Sequence, residues 1–414
     1  MRASMDWVLF GVILALLSLG LVMVYSVTSV TSELNPKKEN MPALAGGAAE
    51  AGEDEAPSAK PQPSVWTRPG GLLAFLSDFW RQVIVALLAL AMLLLLSQLD
   101  YIKLQSPAWA LSGMSVALCL LIVALVVDKS SRRWLHLGVT IQPSELAKPA
   151  LIVFLAWFVT MRARRINNKH TVLCAGLAMA AVLGLIGYPD LGTAIVLAAA
   201  AAVIFYLAGL NRTYTIACSS AGLVLLTALF FLQPYRVKRV LDRVDPEYKY
   251  LVYVDPGKIL LEYANRTTGA SDTTYHPLQS RIALGGGGLF GRGLGYSRQK
   301  FLFLPRAHTD FIFSIIGEEL GLWGALLVLI GFGVIMWRGY RLFWSASDEF
   351  GKYLAAGVTT VVVVQALLNM SVAADLGPTK GIPLPLISFG GSSLVSTMIS
   401  LGLLLSVSQR AARQ

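Results

Sequence analysis

Apolar residues run along this chain in long stretches, with short polar segments between them. Ten of these stretches, at about 6–30, 80–98, 108–127, 144–161, 171–187, 191–209, 213–232, 311–337, 351–374 and 389–409, approach or exceed the ~20 residues a helix needs to cross a bilayer. Backbone polar groups cannot stay unpaired in lipid, and a helix pairs its own. The pattern therefore predicts an all-α polytopic membrane protein with ten transmembrane helices. Only Tyr188, Pro189 and Asp190 separate the fifth and sixth stretches, which predicts a tight helical hairpin. The first stretch is too long for the apolar core of a signal peptide and lacks a small-x-small cleavage site, so it reads as the first span. The chain reads as one membrane domain over 1–414, without an internal repeat or a water-soluble domain.

Two polar segments are long. Residues 31–79, centred on AGGAAEAGEDEAPSAKPQP, lack the apolar content to bury a core and predict a flexible outer loop. Residues 233–310 mix aromatic, aliphatic and basic residues with a glycine cluster at Gly285–Gly288. A loop of that length is more often functional than structureless, so it is expected to bear part of the active site.

Composition narrows the class. Hydrophobic residues make up 55% and charged residues 14% of the chain, against about 25% charged in soluble domains. That excludes a cytosolic enzyme, a nucleic-acid-binding module and a disordered chain. The net charge of +10 then reflects loops on the cytoplasmic side, with no nucleic-acid partner. An even number of spans puts both termini on one side. With the N-terminus inside, Arg2, Lys103, Arg162, Arg164, Arg165, Lys169, Arg212, Arg338, Arg341, Arg410 and Arg413 are cytoplasmic. Only Lys129, Arg132, Arg133 and Lys380 then fall in short outer loops. Cys119, Cys174 and Cys218 lie in apolar stretches without a CxxC pair, which disfavours disulfide and zinc readings.

Polar residues at span ends carry the chemistry, because each is costly near lipid. In the segment 131–148, Pro143 suits the first position of the fourth helix. Glu145 and Lys148 then share one helix face, either as a salt bridge that locks helices or as the lining of a polar cavity. Arg132 and Arg133 are placed to meet an anionic headgroup or to snorkel to lipid phosphates. Asp190 suits the N-cap of the sixth helix. Asp310 precedes a long apolar helix, where it is either a cap or a general base on a hydroxyl. His308 is a weaker candidate, and Glu318 and Glu319 suit a structural network or cavity lining. In the segment 378–393, Gly390 and Gly391 allow close backbone approach, and Ser392 and Ser393 suit either helix packing or hydrogen bonds to a phosphate or sugar. Arg132, Arg298, Lys300 and Lys380 beside Asp310 suit a substrate with a pyrophosphate and hydroxyls.

At these motifs the chain resembles the SEDS family (shape, elongation, division and sporulation) of FtsW, RodA and SpoVE. The resemblance covers nearly all ten spans, through GLVMVYS at 20–26, RRWLHLGVTIQPSELAK at 132–148, PDLGTA at 189–194, LPRAHTDFIFSIIGEELG at 304–321 and PLISFGGSSL at 385–394. SRQK at 297–300 and PTKG at 378–381 look like FtsW, whereas GIPLP at 381–385 looks like RodA. The resemblance implies a peptidoglycan glycosyltransferase that polymerises lipid II onto a nascent glycan strand in the bacterial plasma membrane, at the division septum. It implies Asp310 as the catalytic aspartate and functional weight on Arg133, Trp134, Glu145 and Lys148, with Ser280 a further substrate-binding candidate. Implied partners are a class B penicillin-binding protein and other division proteins. A divalent cation, Mg2+ or Mn2+, is an expected cofactor, with no motif to define its ligands. Competing readings are a lipid II transporter, a RodA-like elongation polymerase and a division scaffold. The chain departs from the family at Tyr188, Gly286 and Arg306, and in an insertion over about 240–276. Arg306 is expected to favour the ionised form of Asp310 if the two come within ~4–6 Å.

Overall fold

The computed structural model describes residues 5–38, 78–128, 131–137, 139–244, 263, 275–297, 299, 309–377 and 381–411. In chain order these form helices α1 (Trp7–Lys38), α2 (Asp78–Gln98) and α3 (Pro107–Val127), then a hairpin of β1 (Leu135–Leu137) and β2 (Val139–Ile141). There follow α4 (Pro143–Arg162), α5 (Lys169–Gly187), α6 (Leu191–Leu207), α7 (Arg212–Phe231), α8 (Pro234–Val244), α9 (Tyr275–Gly286), α10 (Ile312–Ser345), α11 (Glu349–Ala373) and α12 (Gly391–Ala411).

All ten expected spans are helices. Among the described residues nine are long and apolar enough to cross a membrane, and α6 is shorter at 17 residues, or roughly 25 Å. Side-chain acceptors set several helix starts. Ser106, Asn168, Asp190, Asn211 and Asp348 cap α3, α5, α6, α7 and α11, each accepting from a backbone N–H that the helix leaves open. Pro107 and Pro143 occupy first helical positions, where no N–H is needed.

Helices α11 and α12 form the centre, with 78% of their apolar windows buried, and α7 lies outermost with 6%. α11 packs on α4, α6, α10 and α12, while α2 packs along α12 and α1 along α10. Leu87, Leu88, Val116, Ile122, Leu223, Val224, Leu327 and Ile330 remain exposed on the outer helices. A lipid-facing surface needs such side chains, and a water-facing one of this extent would be an aggregation hazard.

Three features depart from the sequence reading. α1 continues to Lys38, and α10 to Ser345, both beyond their expected ends. Among its described residues, the segment 233–310 holds helices α8 and α9. The short antiparallel hairpin, with His136 opposite Thr140, is a small exception to the all-α expectation. Residues 39–77 of the expected flexible loop lie outside the described residues.

One end of the bundle gathers the segment before α1, the turn after α2, the α10–α11 turn and the end of α12. Arg338 pairs with Asp6 at 3.2 Å and Arg410 with Asp100 at 2.9 Å. Ser406 Oγ donates to Leu99 O at 2.5 Å, and Asp6 N donates to Ser408 Oγ at 3.3 Å. The Tyr101 hydroxyl donates to Asp348 in the same place. Burial first, and then the Asp348 carboxylate, push the Tyr101 phenol above its ordinary range. The two ends of the described chain therefore lie on one side.

Candidate active site

The opposite end carries the polar motifs. Asp310 sits in a turn immediately before α10. Phe311 occupies the cap position of α10, without a side-chain cap bond, and Asp310 stands one residue before it. Its carboxylate lies against the α-carbon of Gly381, where a Cβ would come 2.5 Å from Asp310 Oδ2. Asn369 Nδ2, from α11, donates to Asp310 O at 2.9 Å and to Ile382 O at 2.7 Å. Ser388 Oγ donates to Thr309 O at 2.6 Å and accepts from Leu384 N at 2.8 Å. The turn bearing Asp310 is thus laced to residues 382–388. Gly20 of α1 backs that segment so closely that a Cβ there would stand 2.7 Å from Ile387 Cα. A Cβ at Gly390 or Gly391 would meet only ordinary contacts, the nearest at 3.7 Å, so the close approach expected of them falls on Gly20 and Gly381.

A second set of bonds runs inward from the same segment. Gln365, one turn before Asn369 on α11, donates through Nε2 to Pro383 O at 2.8 Å. Its Oε1 accepts from Lys148 Nζ at 2.6 Å, and Lys148 pairs with Glu145 at 2.8 Å. Glu145 and Lys148 are 1% and 3% exposed, so the pair is an enclosed, hydrogen-bonded lock and not the lining of an open cavity. Charges survive burial when paired and when their other hydrogen-bonding sites are filled, as they are here. Pro149 has no N–H to give to Glu145 O, four residues back. Ser396 Oγ on α12 fills that carbonyl at 2.6 Å.

Nearby, the Asp128 carboxylate accepts from the backbone of Ser131, Arg133 and Trp134 and shapes the loop before the hairpin. Arg133 donates to Pro189 O through Nε at 2.8 Å and through Nη2. Arg132 donates to the Tyr188 hydroxyl at 2.7 Å and lies over its ring. Asp190 caps α6, as expected, by accepting from the N–H groups of Gly192 and Thr193. Arg132, Arg133, Ser144, Pro189 and Asp190 line a narrow cleft. Both guanidiniums hydrogen-bond to neutral acceptors, while the carboxylate of Asp190 lines the same cleft.

The segment after α9 repairs a break in α10. Gly321 has φ +68° and ψ −161°, which interrupts the helical bonds there. Leu322 N instead donates to Gly288 O, and the carbonyls of Glu318 and Glu319 accept from Arg292 N and Gly293 N at 3.0 Å. The side chains join in: Glu318 pairs with Arg292 at 3.2 Å and accepts from Ser297 Oγ at 2.5 Å, and Glu319 accepts from Ser26 Oγ at 2.8 Å. Gly287 and Gly291 fit only as glycines, because a Cβ would overlap the carbonyls of Gly317 and Glu319. The network reading of Glu318 and Glu319 is the one observed.

The expected site residues therefore separate into groups. Asp310 lies at the end of the bundle away from the Asp6–Arg338 and Asp100–Arg410 pairs, and Arg132, Arg133 and Trp134 belong to the loop before the hairpin. Ser280 is fully buried, bonded to Ser314 at 2.5 Å and to Ala373 O at 2.6 Å, and it ties α9 to α10 and α11 in place of facing a ligand. Ser393 is buried and Ser392 half-buried at the start of α12. Arg298, Lys300, Arg306, His308 and Lys380 lie outside the described residues. Sequence reasoning missed Gln365, Asn369, Ser388, Gly20 and Gly381. A signal existed for the first two, which are amides four apart on an otherwise apolar helix and so share a face.

Over residues 73–413 the chain matches the model of the FtsW, RodA and SpoVE family, described as cell cycle proteins. The chain belongs to that family. It is 34% identical over 337 residues to the stage V sporulation protein E of Bacillus subtilis, covering 80% of this chain and 86% of the relative. It is 33% identical over 418 residues to a protein of Trichlorobacter lovleyi named "Probable peptidoglycan glycosyltransferase FtsW", covering 98% and 93%. Among solved structures it resembles a chain from a peptidoglycan synthase complex that coordinates polymerization and crosslinking, with TM-score 0.67, 25% identity and 99% of each chain covered. The fold also matches the rod shape determining protein RodA of Thermus thermophilus, with TM-score 0.61, 24% identity and 99% and 98% covered.

The divalent cation expected from the family finds no built cage among the described residues, where no three His, Cys, Asp or Glu side chains come together. Glu145, Glu318 and Glu319 are bonded to Lys148, Arg292 and Ser26. These residues do not fit a protein-held metal.

Proposed function

We propose that this chain is a peptidoglycan glycosyltransferase that polymerises lipid II into glycan strands and releases undecaprenyl pyrophosphate. The relatives' names support the activity. The observation that carries the mechanism is the placement of Asp310, a half-buried carboxylate on a turn bonded to the 382–388 segment. It is a fixed general base at the mouth of the bundle. In this reading Asp310 takes the proton from the GlcNAc 4-hydroxyl of one lipid II. That oxygen attacks C1 of the terminal MurNAc on the growing chain, and the pyrophosphate oxygen leaves with the bonding electrons. An α-linked donor and a β-1,4 product make the step inverting. Arg132 and Arg133, with charge not neutralised by their hydrogen-bond acceptors, stabilise the departing pyrophosphate. Held polar groups of this kind lower the barrier because they need not reorganise as charge develops.

The basic short segments support a cytoplasmic location for the end that holds Asp6 and Arg410, which puts Asp310 on the outer side, where lipid II sugars are displayed. We assign the septum as the site of action and a class B penicillin-binding protein as partner. The test is synthesis of glycan polymer from lipid II by the purified protein, with and without that transpeptidase. Polymer is the expected product, and its absence with a competent partner present overturns the reading. A lipid II transporter is less well supported, since the intramembrane pair it would use, Glu145 and Lys148, is enclosed.

A further inference from the structure

We infer that Ser388 and Asn369 are positioning residues for Asp310. They would hold the backbone of residues 309–310 so that the carboxylate rests against Gly381 at a fixed place in the outer site. This inference rests on the reading of Asp310 as the base.

Three observations carry it. First, both side chains donate to main-chain carbonyls of the turn that bears Asp310. Ser388 Oγ reaches Thr309 O at 2.6 Å, and Asn369 Nδ2 reaches Asp310 O at 2.9 Å. They come from different elements, one from the segment before α12 and one from α11. Two consecutive carbonyls held in this way fix the two peptide planes that flank the Asp310 α-carbon, and with them the direction of its side chain. Second, the same two residues organise the wall that the carboxylate touches. Asn369 also holds Ile382 O at 2.7 Å, and Ser388 accepts from Leu384 N at 2.8 Å. Gly381, next to Ile382, then comes so close to Asp310 Oδ2 that a Cβ would stand 2.5 Å away. The absence of a side chain at 381 is what leaves space for the carboxylate. Third, the backbone of this wall is itself strained. Leu386 has φ +67°, a left-handed conformation that a γ-branched residue rarely adopts. Such a residue persists where its surroundings over-determine it, and these concentrate at functional sites. Asn369 is 1% exposed, and its Oδ1 is buried without a hydrogen-bond partner. A plain helix-packing role favours an apolar residue there, whereas a donor for two carbonyls requires the amide.

A base displaced by about 1 Å loses up to ~100-fold in rate, so the effect belongs in kcat. The test uses the full-length protein with its transpeptidase partner. Initial rates of lipid II polymerisation are measured against lipid II concentration and normalised to folded protein by size exclusion and thermal melting. Ser388→Ala and Gly381→Ala are the main variants, Ser388→Thr is the conservative rescue, and Asn369→Asp, which keeps the shape but offers at most one donor in place of two, is the third. Expected are a kcat at least tenfold lower per folded molecule for Ser388→Ala and Gly381→Ala with KM within twofold, a similar loss in Asn369→Asp, and return toward wild type in Ser388→Thr. Wild-type kcat per folded molecule in both Ser388→Ala and Gly381→Ala overturns the inference. So does a loss that only follows the melting temperature. Asp310→Asn, run alongside, separates the two levels. If it polymerises like wild type, the reading of Asp310 fails; if it is inactive while Ser388→Ala and Gly381→Ala are normal, only the positioning inference fails.

Discussion

Lys148 shows how a single side chain holds this bundle. Its ammonium bonds both Glu145 oxygens and Gln365, all enclosed between α4 and α11. Lys148→Met leaves an unpaired buried carboxylate, which costs ~3–5 kcal/mol, whereas removing both charges costs far less. We therefore expect Lys148→Met to lower the melting temperature in detergent sharply and Lys148→Met with Glu145→Gln to recover most of it. Equal destabilisation in the two variants contradicts the pairing. The spacing of Glu145 and Lys148 made the ion pair legible in the sequence, and Pro143 and Asp190 likewise announced their helix starts. Ser396 was not legible, because the carbonyl it fills, that of Glu145, is opened by Pro149 on another helix and lies 251 positions from Ser396 in the chain. Asn369 and Ser388 were missed for a related reason: their partners are backbone carbonyls, which have no sequence signature.

At the scale of elements, the break in α10 is the most consequential feature that hydropathy could not show. An apolar stretch reads as continuous whether or not its hydrogen bonds continue. Here Gly321 opens the ladder and the segment 287–293 closes it by exchanging bonds with the freed groups. Gly291 sits at φ +77° with Glu319 O against its α-carbon. Gly291→Ala should therefore destabilise the junction by about 1–3 kcal/mol. The expected sign is faster proteolysis within 275–297 together with a lower melting temperature; unchanged cleavage argues that the segment does not depend on this contact. Sequence composition marked 233–310 as functional, and the glycine cluster as special. Its helices α8 and α9 were hidden because neither is long enough to stand out from a polar background.

At the scale of the whole molecule, the polar contacts divide between two ends. One end closes with Tyr101, Asp348, Asp100, Arg410, Asp6 and Arg338. Burial and the Asp348 carboxylate raise the Tyr101 phenol above its ordinary value. A raised folded-state value means the contribution is fully present below the unfolded value of about 10 and fades as pH rises past it. Tyr101→Phe is expected to lower the melting temperature at neutral pH, by a hydrogen bond to a charged group of ~1.5–3 kcal/mol, and to flatten the loss of stability above pH ~10. A variant that declines with the same slope as wild type places that titration elsewhere. The positions and order of the long apolar helices were readable from hydropathy alone, because a bilayer imposes length and continuity on each span. How the helices pack was not, since every face of α2, α3 and α7 is apolar whether it meets lipid or protein.

The other end presents Asp310, and the central claim is that this carboxylate acts as the base in glycan polymerisation. The most direct measurement is lipid II polymerisation by the purified protein with its class B partner, comparing wild type with Asp310→Asn at matched folded fraction and complex formation. Loss of a general base costs ~100- to 10,000-fold, so polymer from wild type and none above background from the variant is the predicted result. Equal polymer from both proteins contradicts the assignment.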